Sequence, residues 1–187
     1  MEHSHLNRIL KAAVLGSASA REDSPAGISA FRLGGLIAAR GATVLTGGCT
    51  GLPHAAVLGA RSVGGFTLAV SPAMNADEHR SQYGYPLDSE LIMFTGMGTK
   101  GRNVVLVRSA DACIFVGGGM GTLNEFTIAF DELQSRCAIG VLTESGGLSD
   151  VMADIVAAVE RPPQALLVFE SEPEALVERI FRHIGRT

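Results

Sequence analysis

Lysine is scarce in this chain of 187 residues: Lys11 and Lys100 are the only two. The formal net charge is −4, so acidic residues outnumber basic ones. Proteins that bind nucleic acids through the phosphate backbone depend mainly on clustered lysine and arginine side chains. The composition therefore predicts no nucleic-acid partner.

Long apolar runs are absent as well. No run reaches the length of about 20 residues that a membrane-spanning helix needs. Residues 1–11, MEHSHLNRILK, contain no apolar core of a signal peptide. We therefore expect a cytoplasmic protein without a membrane partner.

Cysteine and histidine are few and scattered. Cys49, Cys113 and Cys137 are too far apart for a disulfide framework or a zinc knuckle. The histidines form no HExxH-type pair; they are His3, His5, His54, His79 and His183. We therefore predict no structural metal.

Length and composition favour a single domain. Hydrophobic residues make up 47% of the chain and charged residues 18%, which is ordinary for a globular protein. Pro, Ser and Gly do not cluster into a linker, and a chain of this length can bury one substantial core. We expect residues 1–187 to form one domain.

The most informative stretch is residues 111–136, DACIFVGGGMGTLNEFTIAFDELQSR. Residues 112–116 are a short apolar run before a glycine cluster, which predicts a buried strand. A helix is predicted after the cluster, because apolar residues recur there at spacings of three and four. These residues are Leu123, Phe126, Phe130 and Leu133.

The glycine cluster between this strand and helix predicts an anion site. Glycine lets backbone N–H groups approach a ligand closely, and the N-terminus of a helix offers unpaired donors with a partial positive charge. A phosphate is the anion that such a corner typically holds. The cluster consists of Gly117, Gly118, Gly119 and Gly121.

A structural interpretation competes with this one. Thr122 and Glu125 have the spacing of a capping box, and the spacing taken alone favours that role. The run GGGxGT also matches neither the dinucleotide fingerprint nor the P-loop. The corner therefore indicates phosphate without indicating the kind of nucleotide.

Strand and helix patterns alternate along the whole chain. The predicted strands are 12–15, 43–46, 66–70, 91–94, 112–116, 139–142 and 166–169. The first predicted helix starts at Pro25, after a Ser24 cap. The other predicted helices cover 53–62, 96–108, the segment after Gly121, 148–159 and 173–184. This alternation predicts an α/β, doubly wound fold with a mostly parallel seven-stranded sheet and helices on both faces.

Two segments leave alternatives open. Residues 71–90 are polar with little periodicity, which is typical of a lid or binding loop, of a surface loop, or of an element that the pattern does not reveal. Its candidate contact residues are His79, Arg80, Tyr83 and Tyr85.

Residues 104–107, VVLV, favour a strand by propensity, but their place between two strands favours a crossover helix, which we predict. Spacing alone favours a surface salt bridge for Arg102.

The glycine-rich corners should meet in space. In a parallel sheet, ligands bind beyond the carboxyl ends of the strands, near the point where strand order reverses. The corners at Gly16, Gly47 and Gly117 all follow predicted strands at their carboxyl ends. They can therefore share one crevice.

The chain resembles the LOG-like proteins, a Rossmann-like superfamily often labelled lysine decarboxylase. The matching motifs are Gly16-Ser17-Ala18, LGGLIAARG at 33–41, TGGCTGL at 46–52, Gly101-Arg102-Asn103 and GGMGTLNE at 118–125. They come in the order and spacing of that superfamily and cover about three quarters of the chain. The resemblance implies a Rossmann-like domain.

The resemblance also implies an activity. LOG enzymes hydrolyse the N-glycosidic bond of a nucleoside 5′-monophosphate to free base and ribose 5-phosphate, and no cofactor is required. The resemblance assigns catalysis of this hydrolysis to Arg102 and Glu125. It does not imply lysine decarboxylation. The ligand-binding residues that we expect are Gly16, Ser17, Gly47, Gly48, Arg102, Asn103, Gly117, Gly118, Gly119, Met120, Gly121 and Thr122. Members of the superfamily are commonly oligomers, so we expect a homodimer or homotetramer.

Two positions resemble a neighbouring branch instead. The hydrolases usually have proline at the position of Gly117 and lysine at that of Asn103. Both changes are similar to a branch that includes molybdenum-cofactor carrier proteins, whose molybdopterin ligand also bears a phosphate. A phosphoribohydrolase, a non-enzymatic molybdenum cofactor carrier and a nucleotide-sensing regulator therefore remain as alternatives, each with a phosphorylated small molecule as its partner.

Overall fold

The computed structural model describes residues 9–185. His3, His5 and most of the N-terminal segment considered above lie outside the described residues. The strands are β1 Lys11–Gly16, β2 Thr43–Thr46, β3 Thr67–Ser71, β4 Leu91–Phe94, β5 Ala112–Val116, β6 Ala138–Leu142 and β7 Leu166–Glu170. The α-helices are α1 Pro25–Ala38, α2 Leu52–Ser62, α3 Ala76–Ser81, α4 Gly98–Ser109, α5 Met120–Glu132, α6 Met152–Ala157 and α7 Pro173–Ile184, with a 3₁₀ helix at Gly147–Val151 before α6.

The seven strands form one sheet in the order β4-β3-β2-β1-β5-β6-β7. Neighbouring strands are parallel throughout, for example with Val14 of β1 opposite Ile114 of β5. The order reverses between β1 and β5, which is where an open α/β sheet forms a ligand crevice. The predicted α/β Rossmann-like fold is confirmed.

Alternating residues of the central strands face opposite layers of helices. Val14 and Ile114 belong to a core shared with α1, α2 and α7, whereas Leu15 and Phe115 belong to a second core shared with α4 and α5. Successive side chains of a strand point to opposite faces, so a strand covered on both sides must be apolar at every position. This is why β5 reads ACIFV and is buried at each residue.

The structure resolves the two open segments. Residues 104–107 lie in helix α4, because a parallel crossover between β4 and β5 overrides their propensity for a strand. Within 71–90 the structure has helix α3, which the pattern did not reveal. The Asn75 side chain caps α3 by accepting from the Glu78 N–H at 2.9 Å, and the helix buries only His79. Six residues with one buried side chain produce no periodic signal.

Helices α1 and α2 approach each other closely at Gly34. An alanine there would place its Cβ 1.9 Å from the Ala56 carbonyl oxygen, whereas the Cβ of an alanine at Gly35 would lie 3.4 Å from the Gly59 carbonyl oxygen. We expect Gly34→Ala to lower the free energy of unfolding by about 1–3 kcal/mol, because α1 and α2 must separate. Gly35→Ala is the matched control and should be neutral or stabilising by up to about 1 kcal/mol, since alanine favours helix. Urea denaturation measures both, and equal effects would contradict this account of the packing.

Candidate functional site

A crevice opens at the carboxyl edge of the sheet, beside the β1–β5 reversal. Its walls come from the segments after β1 and β2, from the first turns of α4 and α5, and from the segment between α3 and β4. Its volume is about 480 Å³, which is within the usual range for small-molecule sites. The lining residues are Gly16, Ser17, Ala18, Ser19, Cys49, Thr50, Tyr85, Thr99, Lys100, Arg102, Asn103, Gly119, Gly121, Thr122 and Glu125.

The structure brings together most of the residues that the sequence singles out. The residues at the crevice are Gly16, Ser17, Arg102, Asn103, Gly119, Gly121, Thr122 and Glu125. The other five predicted contact residues do not line it: these are Gly47, Gly48, Gly117, Gly118 and Met120. The separate glycine corners therefore share one crevice. The corner at Gly16 contributes both of its predicted residues, the corner at Gly117 contributes some, and the corner at Gly47 contributes neither predicted glycine.

The N-terminus of α5 faces this crevice with free space in front of it. Gly119 is the N-cap, and because it has no side chain it cannot accept a hydrogen bond from the first N–H groups of the helix. The first N–H groups of a helix have no partner within the helix, and they carry the positive end of its dipole. Nothing lies within 4 Å of the position that a Cβ would occupy at Gly119 or Gly121. An anion can therefore approach these backbone groups.

The capping-box interpretation is wrong. Helix α5 begins at Met120, so Thr122 is the third helical residue and not the cap. Thr122 packs against Gly118, where a Cβ would lie 2.3 Å from the Thr122 Oγ1 atom. Gly118 also has a φ of 96°, which side chains rarely adopt. The glycine at 118 thus permits the Thr122 side chain to turn back against the strand-to-helix corner.

Gly117 and Met120 have other environments than expected. The Gly117 N–H donates to the Ser145 Oγ atom at 2.9 Å, and its carbonyl accepts from the Ser149 hydroxyl at 2.9 Å. Gly117 therefore joins the corner to the segment after β6, and its N–H is occupied by protein. Met120 is 72% exposed and lies outside the crevice lining.

The two candidate catalytic residues form a buried ion pair. Arg102 on α4 is 5% exposed and Glu125 on α5 is 7% exposed, and 3.6 Å separates the Arg102 Nη1 and Glu125 Oε1 atoms. The prediction of a surface salt bridge for Arg102 is therefore wrong. Its guanidinium packs on Gly47, where a Cβ would lie 2.1 Å from Nη1, so a larger residue at 47 would have to displace the guanidinium.

The Arg102 Nε atom has no hydrogen-bond partner among the described residues. A buried charged donor without a partner costs free energy, and such unsatisfied donors often occur at binding sites. The side chain lines the crevice, but its Nε atom is buried from solvent, so a ligand acceptor can reach that atom only if the side chain moves. The guanidinium still places a fixed positive charge beside the crevice, which suits an anionic or polar ligand.

Glu125 is poised to change its protonation near neutral pH. Burial raises the pKa of its carboxyl from 4.5 to about 7, although the charges of Arg102 and Lys100 act in the opposite direction. The Asn103 amide can donate to the Glu125 Oε1 atom at 3.1 Å in one orientation, and to the Asn124 Oδ1 atom at 2.8 Å in the other. Glu125 can therefore act as a proton acceptor beside a fixed cation.

This shift makes the stability of the fold depend on pH. A carboxyl whose pKa is higher in the folded state contributes stability below the unfolded pKa, and that contribution is lost as pH rises through the folded value. From about pH 5 to about pH 8, we expect the wild type to lose about 2 kcal/mol relative to Glu125→Gln. Urea denaturation of both proteins at each pH measures this difference, in which the other titrating groups cancel. A difference independent of pH would show an ordinary Glu125 pKa.

The glycine-rich corner after β2 contributes two residues that were not among the predicted contacts. Cys49 and Thr50 line the crevice, and burial raises the pKa of the Cys49 thiol to about 11, so it is not a thiolate at neutral pH. Gly47 lies behind Arg102, and Gly48 packs against the ring of His79. Both predicted glycines therefore support the wall instead of facing the ligand space.

Helix α4 contributes two further residues at its start, Thr99 and Lys100. The Lys100 ammonium donates to the Met120 carbonyl at 3.3 Å, which joins the first turns of α4 and α5. Ala18 and Ser19 after β1 also went unpredicted. Ala18 belongs to the Gly16-Ser17-Ala18 motif, whereas Thr99, Lys100 and Ser19 are signalled only by their proximity to a motif.

Of the four candidate contacts in 71–90, only Tyr85 lines the crevice. Arg80 is exposed, and Tyr83 packs against Tyr85 with ring centroids 5.5 Å apart. His79 is 0% exposed and lies behind the wall, bonded to Ser71. The segment thus contributes one side chain to the crevice.

Residues 9–185 contain neither a cluster of metal-ligating side chains nor a helix that could span a membrane. No group of three or more His, Cys, Asp or Glu side chains in this part of the chain could hold a metal ion. No helix formed by these residues is long and apolar enough to span a membrane.

Solved structures share this fold. TM1055 superposes with a TM-score of 0.80 at 22% identity, over 93% of this chain and 99% of that one. The molybdenum cofactor binding protein from the phototrophic bacterium Rippkaea orientalis has a TM-score of 0.73 at 28% identity, over 94% of this chain and 98% of that one. An uncharacterized protein of Archaeoglobus fulgidus is 34% identical over 125 residues, which are 67% of this chain and 76% of that protein.

The prediction that excludes a nucleic-acid partner is wrong. DNA processing protein A from Helicobacter pylori, known for a single-stranded DNA binding mode, has a TM-score of 0.60 at 18% identity, over 92% of this chain and 80% of that one. The same fold therefore serves DNA binding in that protein. Net charge and lysine content describe the whole chain, and they do not exclude nucleic acid for this fold.

The resemblance noted from the motifs is confirmed by a match to a family model. The match extends over residues 9–177, from before β1 into α7, and so includes every segment that lines the crevice. The chain belongs to the SLOG cluster4 family, within the LOG-like Rossmann superfamily.

Proposed function

We propose that the crevice binds a nucleoside 5′-monophosphate and hydrolyses its N-glycosidic bond, which releases the free base and ribose 5-phosphate. The observation that carries this proposal is the buried Arg102–Glu125 pair beside the open N-terminus of α5. A helix N-terminus that suits a phosphate and a carboxyl group with a pKa of about 7 then lie in one crevice. The first would anchor the substrate, and the second would take part in the bond cleavage.

The phosphate is assigned to the start of α5. The backbone N–H groups of Gly121 and Thr122 belong to the first turn, where no helical carbonyl is available to them. A dianionic phosphate gains both hydrogen bonds and the favourable end of the helix dipole there. The ammonium of Lys100, at 3.3 Å from the Met120 carbonyl, adds a positive charge at the same place.

The chemistry is assigned to Glu125 and Arg102. Cleavage of the bond between ribose and base develops positive charge on the sugar, which the Glu125 carboxylate can stabilise. Glu125 also accepts a proton from the attacking water, whose oxygen forms the new bond to C1′ while the bond to the base breaks. Arg102 can donate a charge-assisted hydrogen bond to the departing base, which takes its proton from solvent, and Glu125 then returns the proton from the attacking water to solvent.

A second candidate is binding of the molybdenum cofactor without catalysis. It is favoured by the 28% identity to the molybdenum cofactor binding protein of Rippkaea orientalis. Gly117 and Asn103 also replace the proline and lysine that are usual in the hydrolases. The phosphate of molybdopterin would occupy the same N–H groups of α5, so the residues present suit that part of the cofactor. In that case no bond would be broken, and Glu125 would have no catalytic role.

Incubation with AMP, GMP, CMP and UMP, scored for free base, tests the proposal. The corresponding nucleosides are the controls, because they have the same bond but no phosphate for the start of α5. Base release from a monophosphate and not from its nucleoside is the expected result. If no monophosphate is cleaved and purified molybdopterin binds with a stoichiometry of one, the second candidate replaces the first.

A further inference from the structure

Tyr85 gives the crevice an aromatic surface. Among the described residues that line it, Tyr85 is the one aromatic side chain, and the others are small, polar or charged. The end of the crevice at Gly119, Gly121 and Thr122 suits a phosphate, which needs no aromatic contact. Tyr85 therefore calls for a different part of the ligand.

The ring of Tyr85 is held in place from behind. The ring meets the buried ring of His79 edge to face at a centroid distance of 5.5 Å, and the backbone N–H of Tyr85 donates to the backbone carbonyl of His79 at 3.1 Å. His79 is fixed in turn, because its two ring nitrogens lie 2.8 Å from the Ser71 Oγ atom and 2.8 Å from the Pro86 carbonyl oxygen. The ring of Tyr83 packs on Tyr85 from another side. A ring that is already ordered loses little entropy when a ligand stacks on it.

The segment that carries Tyr85 is also tied to α2. The ring of His54 lies 2.9 Å from the Asp88 Oδ2 atom, and Arg61 donates to the same carboxylate at 3.3 Å. The Glu90 carboxylate accepts from the Thr67 N–H at 2.9 Å. These contacts hold the segment against α2 and β3 in this structure.

Tyr85 faces the same space as the ion pair. Tyr85, Arg102 and Glu125 all line the crevice. Burial raises the pKa of the Tyr85 hydroxyl. A ligand bound across the crevice would therefore contact Tyr85 and the Arg102–Glu125 pair together.

We propose that Tyr85 is the stacking surface for a planar heteroaromatic ring, so that the ligand is a phosphate ester carrying a nucleobase or a pterin and not a sugar phosphate alone. This inference rests on the proposed function for its phosphate site. It adds that the planar ring contributes to affinity, and that Tyr85 contacts this ring through its own aromatic face and not through its hydroxyl. Aromatic stacking tolerates different bases, because every base has a flat face.

Calorimetry with three ligands and two variants tests this inference. The ligands are GMP, 6-hydroxymethylpterin monophosphate and ribose 5-phosphate, the last having no ring. All are measured in a Glu125→Gln background to prevent turnover. We expect Tyr85→Leu to weaken binding of the preferred ring-bearing ligand by about tenfold and to leave ribose 5-phosphate unchanged. Tyr85→Phe, the matched control, should bind like the parent. Whichever ring binds more tightly identifies its source, base or pterin.

The failures of the two proposals can be told apart. If the parent binds ribose 5-phosphate as tightly as both ring-bearing ligands, the phosphate site stands and the inference about Tyr85 is wrong. An equal loss for all three ligands in Tyr85→Leu, or no loss for any, would also overturn it. If the parent binds none of the three, the proposed function fails and the inference fails with it. Circular dichroism of each variant confirms that the comparison is between folded proteins.

Discussion

Glu125→Gln should lower the rate of base release by at least about 100-fold. Glutamine has nearly the shape of glutamate but can neither accept a proton from water nor carry the charge that opposes the developing cation. Affinity for ribose 5-phosphate should stay unchanged, because the phosphate binds at the start of α5 and not at Glu125. Steady-state kinetics with the best monophosphate and calorimetry with ribose 5-phosphate measure the two effects.

The chain offers a matched control for this substitution. Glu132 lies at the end of the same helix and pairs with Arg108 across α4 and α5 at 3.3 Å, but both side chains are well exposed. Glu132→Gln should therefore leave turnover unchanged, since exposed ion pairs contribute little. Turnover that persists in Glu125→Gln would exclude Glu125 as the catalytic carboxylate.

Arg102→Met should weaken binding of the same monophosphate by about 10- to 100-fold, because a charged donor at the crevice is lost. Turnover should fall as well, because a larger fraction of Glu125 would be protonated. Arg102 lowers the pKa of Glu125, so without it that pKa rises and less carboxylate is ionised at neutral pH. Raising the pH should then restore part of the turnover in the variant, and more than it does in the wild type.

Arg108→Met is the control for this substitution, since it removes the exposed pair on the same two helices. Its binding and pH profile should match those of the wild type. A pH profile for Arg102→Met identical to the wild-type profile would contradict electrostatic coupling between Arg102 and Glu125. Because removal of one partner from a buried pair is destabilising, urea denaturation should accompany both assays.

The sheet could be predicted because its signals are local. Runs such as residues 112–116 are too short for a helix and too apolar for a surface, so their alternation with helices indicates a covered parallel sheet. The convergence of the corners at Gly16 and Gly119 followed from topology alone, because carboxyl ends of parallel strands meet at one edge. Order and connectivity thus located the crevice before any side chain was placed.

The details of the crevice depend on contacts between distant residues. Arg102 is buried because Gly47, far from it in sequence, leaves room for the guanidinium. Gly117 has its N–H occupied by Ser145, which follows a different strand. Tyr85 reaches the crevice because His79 is buried behind it. None of these contacts has a spacing or periodicity that the sequence displays.

The capping box shows the limit of motif spacing. Thr122 and Glu125 have its spacing, but the helix begins at Met120, before the threonine. Where a helix starts is decided here by the glycines at 118 and 119, whose backbone angles differ from those of the helix. Boundaries shift by a residue or two without changing the pattern, and the role of each side chain changes with them.

The central claim is that a phosphate ester binds across the crevice, with its phosphate on the first turn of α5 and its ring toward Tyr85. A crystal structure of Glu125→Gln with GMP tests it most directly, because the ligand should remain uncleaved. The account predicts the phosphate within hydrogen-bond distance of the Gly121 and Thr122 N–H groups and the glycosidic bond beside residue 125. A phosphate bound elsewhere, with the start of α5 unoccupied by ligand, would contradict it.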